Sequence, residues 1–311
     1  MIELKGTKSQ QKFIVYPEGS KIIINKKRSY VGGGGTNVAW TFVRQNLKTG
    51  FVGKLSNDNE GKLILDLLKK ENIDFLGKVS SSKKGTGFST VLNSYENDRT
   101  ILTYKGLNND LNLNDISDFN TEYIYLASLM EKSFKTFLSF FNKYKKKSFF
   151  KGLIINPSNY MIEIYKKEIF QLLKDTYIII FNLEEASLLT KNIIDKTEKN
   201  IRLILKEIYK LGPKIVVITD GSNGTYLFDG EKNYHLIPKK TKVVETTGAG
   251  DAFASAFVSS YIKDKNIIKA LNHAQLNAES IISHTGAKEK ILYKEEIEKL
   301  YKKRKFKIKY F

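Results

Sequence analysis

From residue 150 onward the sequence alternates short, wholly apolar β-branched runs with longer segments of helical periodicity, and this alternation constrains the fold most. "GLIINP" precedes "YMIEIYKKEIFQLLKD", "YIIIFN" precedes "LEEASLLTKN", and a helical stretch over about 197–211 precedes "KIVVITDG". A strand that is apolar at every position has to be covered on both faces, and the intervening amphipathic helices supply the cover. The pattern predicts an α/β fold: a three-layer, doubly wound, mostly parallel sheet. Glycine- and asparagine-rich joints follow these strands, at the carboxyl edge where such sheets bind ligands.

The first 110 residues obey a different rule. "FIVYPEGSKIIINKKRSYV" and "GTGFSTVLNSYENDRTILTYKG" alternate apolar and polar positions over strand length. That is the pattern of exposed, two-sided strands. It predicts a small β-sheet lid drawn from about 12–31 and 85–106, with "YENDR" as its turn. Between these segments, "GGGGTNVAWTFVRQNLKTGFVGKL" reads as a glycine hinge, a helix and a strand. With neither internal repeat nor low-complexity linker, the expectation is one α/β body over 1–311 carrying a lid.

Composition narrows the function classes. At 41% hydrophobic residues the chain can bury a core, and its apolar runs are too short to span a bilayer. "MIELKGTKSQQ" lacks the apolar segment of a signal peptide, so a soluble cytoplasmic protein with no membrane partner is expected. The absence of cysteine excludes disulfides and thiolate metal sites. A formal net charge of +19 raises the question of nucleic acid. The lysines are spread along the chain, however, and the dense runs "KYKKK" (143–147) and "YKKRKFKIKYF" (301–311) read as solvated surface. No specific nucleic-acid partner is expected; the charge would help an anionic substrate approach.

The chemistry concentrates in "VVETTGAGDAF" (243–253). Glycines ahead of a helix gather backbone N–H groups into a site for negative charge, and Asp251 beside them can accept a hydroxyl proton. On the residues alone, a helix cap remains as good a reading. Two other phosphate motifs are excluded: Phe253 stands where a dinucleotide fingerprint needs Gly or Ala, and no GxxxxGK[ST] occurs.

"ETTGAGDAF" resembles the C-terminal signature of the ribokinase-like (PfkB) carbohydrate kinases, and "VGGGGTNVA" (31–39) is similar to their N-terminal diglycine signature. "TGFSTVL", "DRTIL", "FNLEEA", "TDGSNG" and "SHTGA" follow in the family's order, so the resemblance covers roughly residues 12–295. It implies transfer of the γ-phosphate of ATP, with Mg²⁺, to a hydroxymethyl group of a sugar or nucleoside. Asp251 would be the base, and the amides of Gly248, Ala249 and Gly250 the anion hole. Asn182 and Glu185 of "NLEE" would organise Mg²⁺ and the phosphates, unless Glu185 is an ordinary first-turn carboxylate. Thr219, Gly221 and Gly224 would border ATP, unless they form a plain turn. Asn277 would line the adenine pocket or face solvent. Gly32 and Gly33 would form the hinge, Asn37 would bind sugar hydroxyls and could also be a helix N-cap, and Arg99 would meet an anionic substrate or be a solvated turn charge. The family accepts sugars, sugar phosphates, sugar acids and nucleosides on one scaffold, so the substrate stays open; a homodimer through the lid is also allowed.

Three departures from the family pattern bear on function. Glu245 stands where many members carry Asp at a monovalent-cation site, which leaves K⁺ activation open. Trp40 stands where some sugar-phosphate kinases carry Arg; unless it is simply core, its single donor favours an unphosphorylated sugar or a nucleoside. The apolar strand with which members open is not evident, and an N-terminal truncation would account for that. The other reading is therefore a homologue that binds its ligand without catalysis.

Overall fold

The computed structural model describes residues 15–24, 27–93, 99–284, 288 and 290–311. The first helix, α1 (Gly34–Arg44), is entered through Gly33, whose φ of 90° suits glycine and strains other residues. Next come β1 (Gly50–Phe51) and β2 (Lys54–Ser56), the helix α2 (Asn59–Lys70), then β3 (Asp74–Phe75) and β4 (Lys78–Ser80). β1 pairs with β3 and β2 with β4, both parallel. Asp58 starts α2 by accepting from the Gly61 N–H at 2.8 Å, and it also accepts from the Thr86 N–H at 2.7 Å. One carboxylate thereby ties a helix start to the segment entering the lid.

β5 (Phe88–Asn93) and β6 (Arg99–Tyr104) form the antiparallel hairpin predicted for 85–106, with Phe88 opposite Tyr104 and Asn93 opposite Arg99. The predicted turn lies largely outside the described residues, and Arg99 is already the first residue of β6. Of the companion strand expected over about 12–31, residues 12–14 and 25–26 lie outside the described residues, and the described 15–24 and 27–31 contain no strand. Ile23 and Ile24 there are 85% and 77% exposed. Alternation makes a strand only where neighbours pack on it, and these side chains have no packed face.

The body begins with β7 (Tyr123–Leu126), α3 (Glu131–Tyr144) and β8 (Gly152–Ile155). It continues through α4 (Asn159–Ile164), α5 (Lys166–Leu173), β9 (Thr176–Asn182), α6 (Leu183–Thr190), α7 (Glu198–Lys210) and β10 (Ile215–Thr219). β7, β8, β9 and β10 are parallel neighbours in that order. β11 (Thr225–Phe228) and β12 (Asn233–Ile237) extend the sheet antiparallel. After α8 (Ala249–Asp264), α9 (Ile267–Ile282) and α10 (Lys294–Lys303), β13 (Lys307–Tyr310) pairs with β12 and completes a seven-stranded sheet. At the other end, no strand pairs with the outer edge of β7 among the described residues.

The β-branched runs show why the sheet is covered on both sides. Ile179 and Phe181 of β9 and Val216 and Ile218 of β10 pack with α3 to α7. The alternate residues Ile178, Ile180, Ile215 and Val217 pack with α8 and α9. All eight are at most 2% exposed, so truncating any one to alanine would cost about 2–5 kcal/mol. One predicted helix is two: α4 and α5 break at Tyr165, where φ is −118° and ψ 35°. Tyr165 is held from outside its own segment, accepting the Glu131 N–H at 2.7 Å and lying 4.7 Å from the Phe134 ring. No helix is long and apolar enough to cross a membrane among the described residues.

Candidate active site

The four parallel strands deliver polar side chains to one edge of the sheet. Tyr125 comes from β7, Asn156 follows β8, Asn182 ends β9 with Glu185 just beyond, and Thr219 ends β10. These residues line one cavity of about 2590 Å³, shared with Asn37 of α1 and with Gly248, Gly250 and Asp251 at the start of α8. A drug-sized ligand needs roughly 300–1,000 Å³, so two ligands fit side by side. Residues of β5 and β6 line the same cavity, which puts the hairpin where a lid belongs.

Gly248, with φ 80° and ψ −1°, makes the turn into α8, and no side chain caps the helix. The Ala249 N–H donates to the Thr246 carbonyl at 3.2 Å. The N–H groups of Gly250 and Asp251 have no backbone acceptor among the described residues. Together with the dipole of a 16-residue helix they make an anion-attracting end. Of the amides expected to form an anion hole over Gly248–Gly250, that of Ala249 is engaged with Thr246, while the neighbouring Asp251 amide has no backbone acceptor among the described residues.

Asp251 is gripped from α1. The Asn37 Nδ2 donates to its Oδ2 at 2.7 Å, and a Cβ on Gly34 would stand only 3.3 Å from its Oδ1. Burial raises the Asp251 pKa; the Asn37 hydrogen bond and the charge of Lys288 act against that rise. Tyr125 donates to the Asn156 Oδ1 at 3.2 Å. Burial, then the charges of Asp251 and Glu185, push the Tyr125 hydroxyl well up, so it stays protonated near both carboxylates. Among the described residues that line the cavity, two buried side-chain atoms have no hydrogen-bond partner: Asn37 Oδ1 and Thr247 Oγ1. Each such atom costs about 1–3 kcal/mol until something bonds it.

On the nucleotide side of the expectation, Asn182 and Glu185 form a reciprocal capping box. The Asn182 N–H donates to Glu185 Oε2 at 2.8 Å, and the Glu185 N–H to Asn182 Oδ1 at 2.7 Å. Burial pushes the Glu185 carboxyl up to about 7, against the pull of its Asn182 hydrogen bond. Glu185 is thus a first-turn carboxylate and a cavity-lining one at once. Thr219 lines the cavity, and its hydroxyl donates to the Phe181 carbonyl at 3.3 Å.

Other expected residues are placed differently. Gly221 (φ 50°) and Gly224 (φ 102°) build the turn from β10 to β11; neither lines the cavity. A Cβ on Gly224 would meet the Leu236 carbonyl at 2.0 Å, so this glycine is required by the turn. Asn277 is fully buried, neither lining the cavity nor facing solvent. Its Nδ2 donates to the Ala252 carbonyl at 2.9 Å and its Oδ1 accepts the Leu292 N–H at 3.0 Å, so it fastens α8 to the segment after α9. Gly32, Gly33 and half-buried Glu245 line the cavity. Trp40 does not; it packs on Ala252, Ile281 and Ile291, so it is core and says nothing about substrate phosphorylation.

Four residues of the site escaped the sequence reading. Gly34 had a signal, the third place in a four-glycine run. Asn156 had a weaker one, as the asparagine that ends "GLIIN"; Tyr125 and Lys288 had none, because only the fold brings their segments to the site.

The family model described as pfkB family carbohydrate kinase matches residues 1–292. A 5-dehydro-2-deoxygluconokinase of Clostridium perfringens is 29% identical over 298 residues, covering 89% of this chain and 85% of its own. A ribokinase of Staphylococcus aureus is 27% identical, covering 87% and 88%. Among solved structures, the ribokinase of Giardia lamblia superposes with a TM-score of 0.81 at 19% identity, over 93% of each chain.

Proposed function

Because the chain belongs to the pfkB family of carbohydrate kinases, we propose that it moves the γ-phosphate of ATP to a hydroxymethyl group of a sugar or sugar-like acceptor. The observation that carries this reading is the pairing at the start of α8: Asp251 held by Asn37 at 2.7 Å, beside amides without backbone acceptors among the described residues. The acceptor hydroxyl donates its proton to the Asp251 carboxylate as its oxygen attacks. A burial-raised pKa brings Asp251 nearer to neutrality and makes it a stronger base. The amides of Gly248, Gly250 and Asp251 receive the charge on the transferring group. A second acceptor hydroxyl satisfies the unpartnered Asn37 Oδ1.

MgATP supplies the phosphoryl group, and the donor set suits it. Among the described residues no three acidic or imidazole groups converge on a metal site. Mg²⁺ would come with the ATP phosphates and water, with Glu185 and Asn182 acting at its periphery. The Glu185 carboxyl, poised at about 7, ionises readily when positive charge arrives. Thr219 borders the same side. Closure of the β5–β6 hairpin excludes water, the competing acceptor. Its exposed Phe88, Ile101 and Leu102 also support a homodimer through the lid, to be read by sedimentation.

The test is Mg²⁺-dependent ADP release with ribose, 5-dehydro-2-deoxygluconate, other sugars, sugar phosphates and nucleosides. Turnover on at least one is expected, and running it in KCl against NaCl reads the part of Glu245. Binding without turnover across the whole panel would favour the ligand-binding homologue instead.

A further inference from the structure

A buried lysine behind the base has no part in the scheme above. Lys288 is 3% exposed. Its Nζ donates to Thr36 Oγ1 at 2.6 Å and lies 5.3 Å from the centre of the Trp40 ring; no ion pair holds it among the described residues. A buried cation with so few partners is costly, and an aliphatic side chain over the same ring would be cheaper. What it faces is informative. The Thr36 hydroxyl donates onward to the Gly32 carbonyl at 2.7 Å, so the lysine ends a relay into the glycine turn that leads to Gly34 and Asp251.

We propose that Lys288 is a positioning residue of the transfer site: its buried charge is the electrostatic partner of the Asp251 carboxylate, and its relay through Thr36 holds the Gly32–Gly33 turn against that base. The word "transfer" rests on the kinase reading; the link to Asp251 does not. Burial lowers the Lys288 ammonium to about 7, with Asp251 and then Glu71 acting against the fall, so the charge is present below neutrality, where Asp251 titrates. Other charged groups stand near the pair. Tyr125 of β7 remains protonated, and Glu185, Glu245 and Lys263 line the same cavity. On α1, Arg44 is paired with Glu71 at 3.5 Å, and on α9 Glu279 is paired with Arg304. Lys288 is left as the cation acting on Asp251, as Asn37 is its neutral donor.

The test is a ¹³C NMR titration of the Asp251 carboxyl in the free protein, assigned by its loss in Asp251→Asn. Lys288→Met should raise the Asp251 midpoint by about one unit, the usual scale for losing a nearby opposite charge, and Lys288→Arg should restore it. Thr36→Val cuts the relay but keeps the charge, so it should leave the midpoint and raise the acceptor KM. An Asp251 midpoint unmoved by Lys288→Met overturns the proposal, as does an equal shift in the Met and Arg variants. Should Lys288→Met not fold, Asp251→Asn serves in the other direction. By reciprocity the Lys288 ammonium, followed at its Cε, then titrates lower, and an unchanged lysine overturns the proposal. A shift without turnover on any acceptor would sink the kinase reading alone; turnover without the shift would sink this inference alone.

Discussion

Replacing Glu185 by Gln should make the protein more stable at alkaline pH and leave it unchanged in acid. The carboxyl is 9% exposed and titrates near 7 when folded, against 4.5 for an ordinary Glu. Its folded-state pKa is raised, so between those values the native state holds a proton that the unfolded chain has lost. Stability therefore falls as pH rises through this window, by about 3 kcal/mol at 1.36 kcal/mol per unit. Gln keeps the hydrogen bond to the Asn182 N–H, since the capping box accepts either residue. It cannot ionise, so the penalty disappears. His273 complicates the wild-type curve: burial lowers it from 6.5 to about 4, which makes stability rise over nearly the same range. The difference between variant and wild type cancels that contribution. Urea unfolding at about pH 4 should show equal stabilities, and at about pH 8 the Gln variant should lead by about 3 kcal/mol. A gap independent of pH, or a variant less stable at pH 8, refutes the reasoning. The wild-type carboxylate then makes sense as stability given up for a charge the cavity uses.

Gly34→Ala should lower kcat/KM about tenfold with little change in melting temperature, because its Cβ would press on Asp251 Oδ1 from 3.3 Å; wild-type kinetics in this variant would remove Gly34 from the site. Asn277→Ala strands the Ala252 carbonyl and the Leu292 N–H and should cost about 2–4 kcal/mol in urea unfolding. It should leave the ATP KM unchanged, whereas a raised KM with intact stability would return Asn277 to the nucleotide pocket. Gly224→Ala forces a Cβ onto the Leu236 carbonyl at a φ of 102° and should destabilise by about 2–4 kcal/mol, read from thermal unfolding.

The body of the fold was legible because burial on both faces writes itself as unbroken runs such as "YIIIF" and "IVVI", and their alternation with helical segments points to a covered parallel sheet. The lid hairpin was legible from alternation over about 85–106, and the same signal over about 12–31 gives no strand in the described residues 15–24 and 27–31. The break at Tyr165 was invisible, since it depends on a contact with α3. At the site, Asp251, Asn37 and Glu185 announced themselves by their place beside glycines or at a strand end. Asn277 shows the limit of such reading: helical spacing does not tell which face of α9 meets α8. Lys288 is one of 52 basic residues, and nothing local distinguishes the one that is buried.

The most direct test of the account is a single-turnover measurement of Asp251→Asn on whichever acceptor the wild-type protein phosphorylates. Asn preserves shape and a contact with Asn37 but accepts no proton. The prediction is unchanged binding of MgATP and acceptor, with phosphoryl transfer slower by about 10²–10⁴. Transfer within a few-fold of wild type, with both ligands bound, would contradict the assignment of Asp251 as the base.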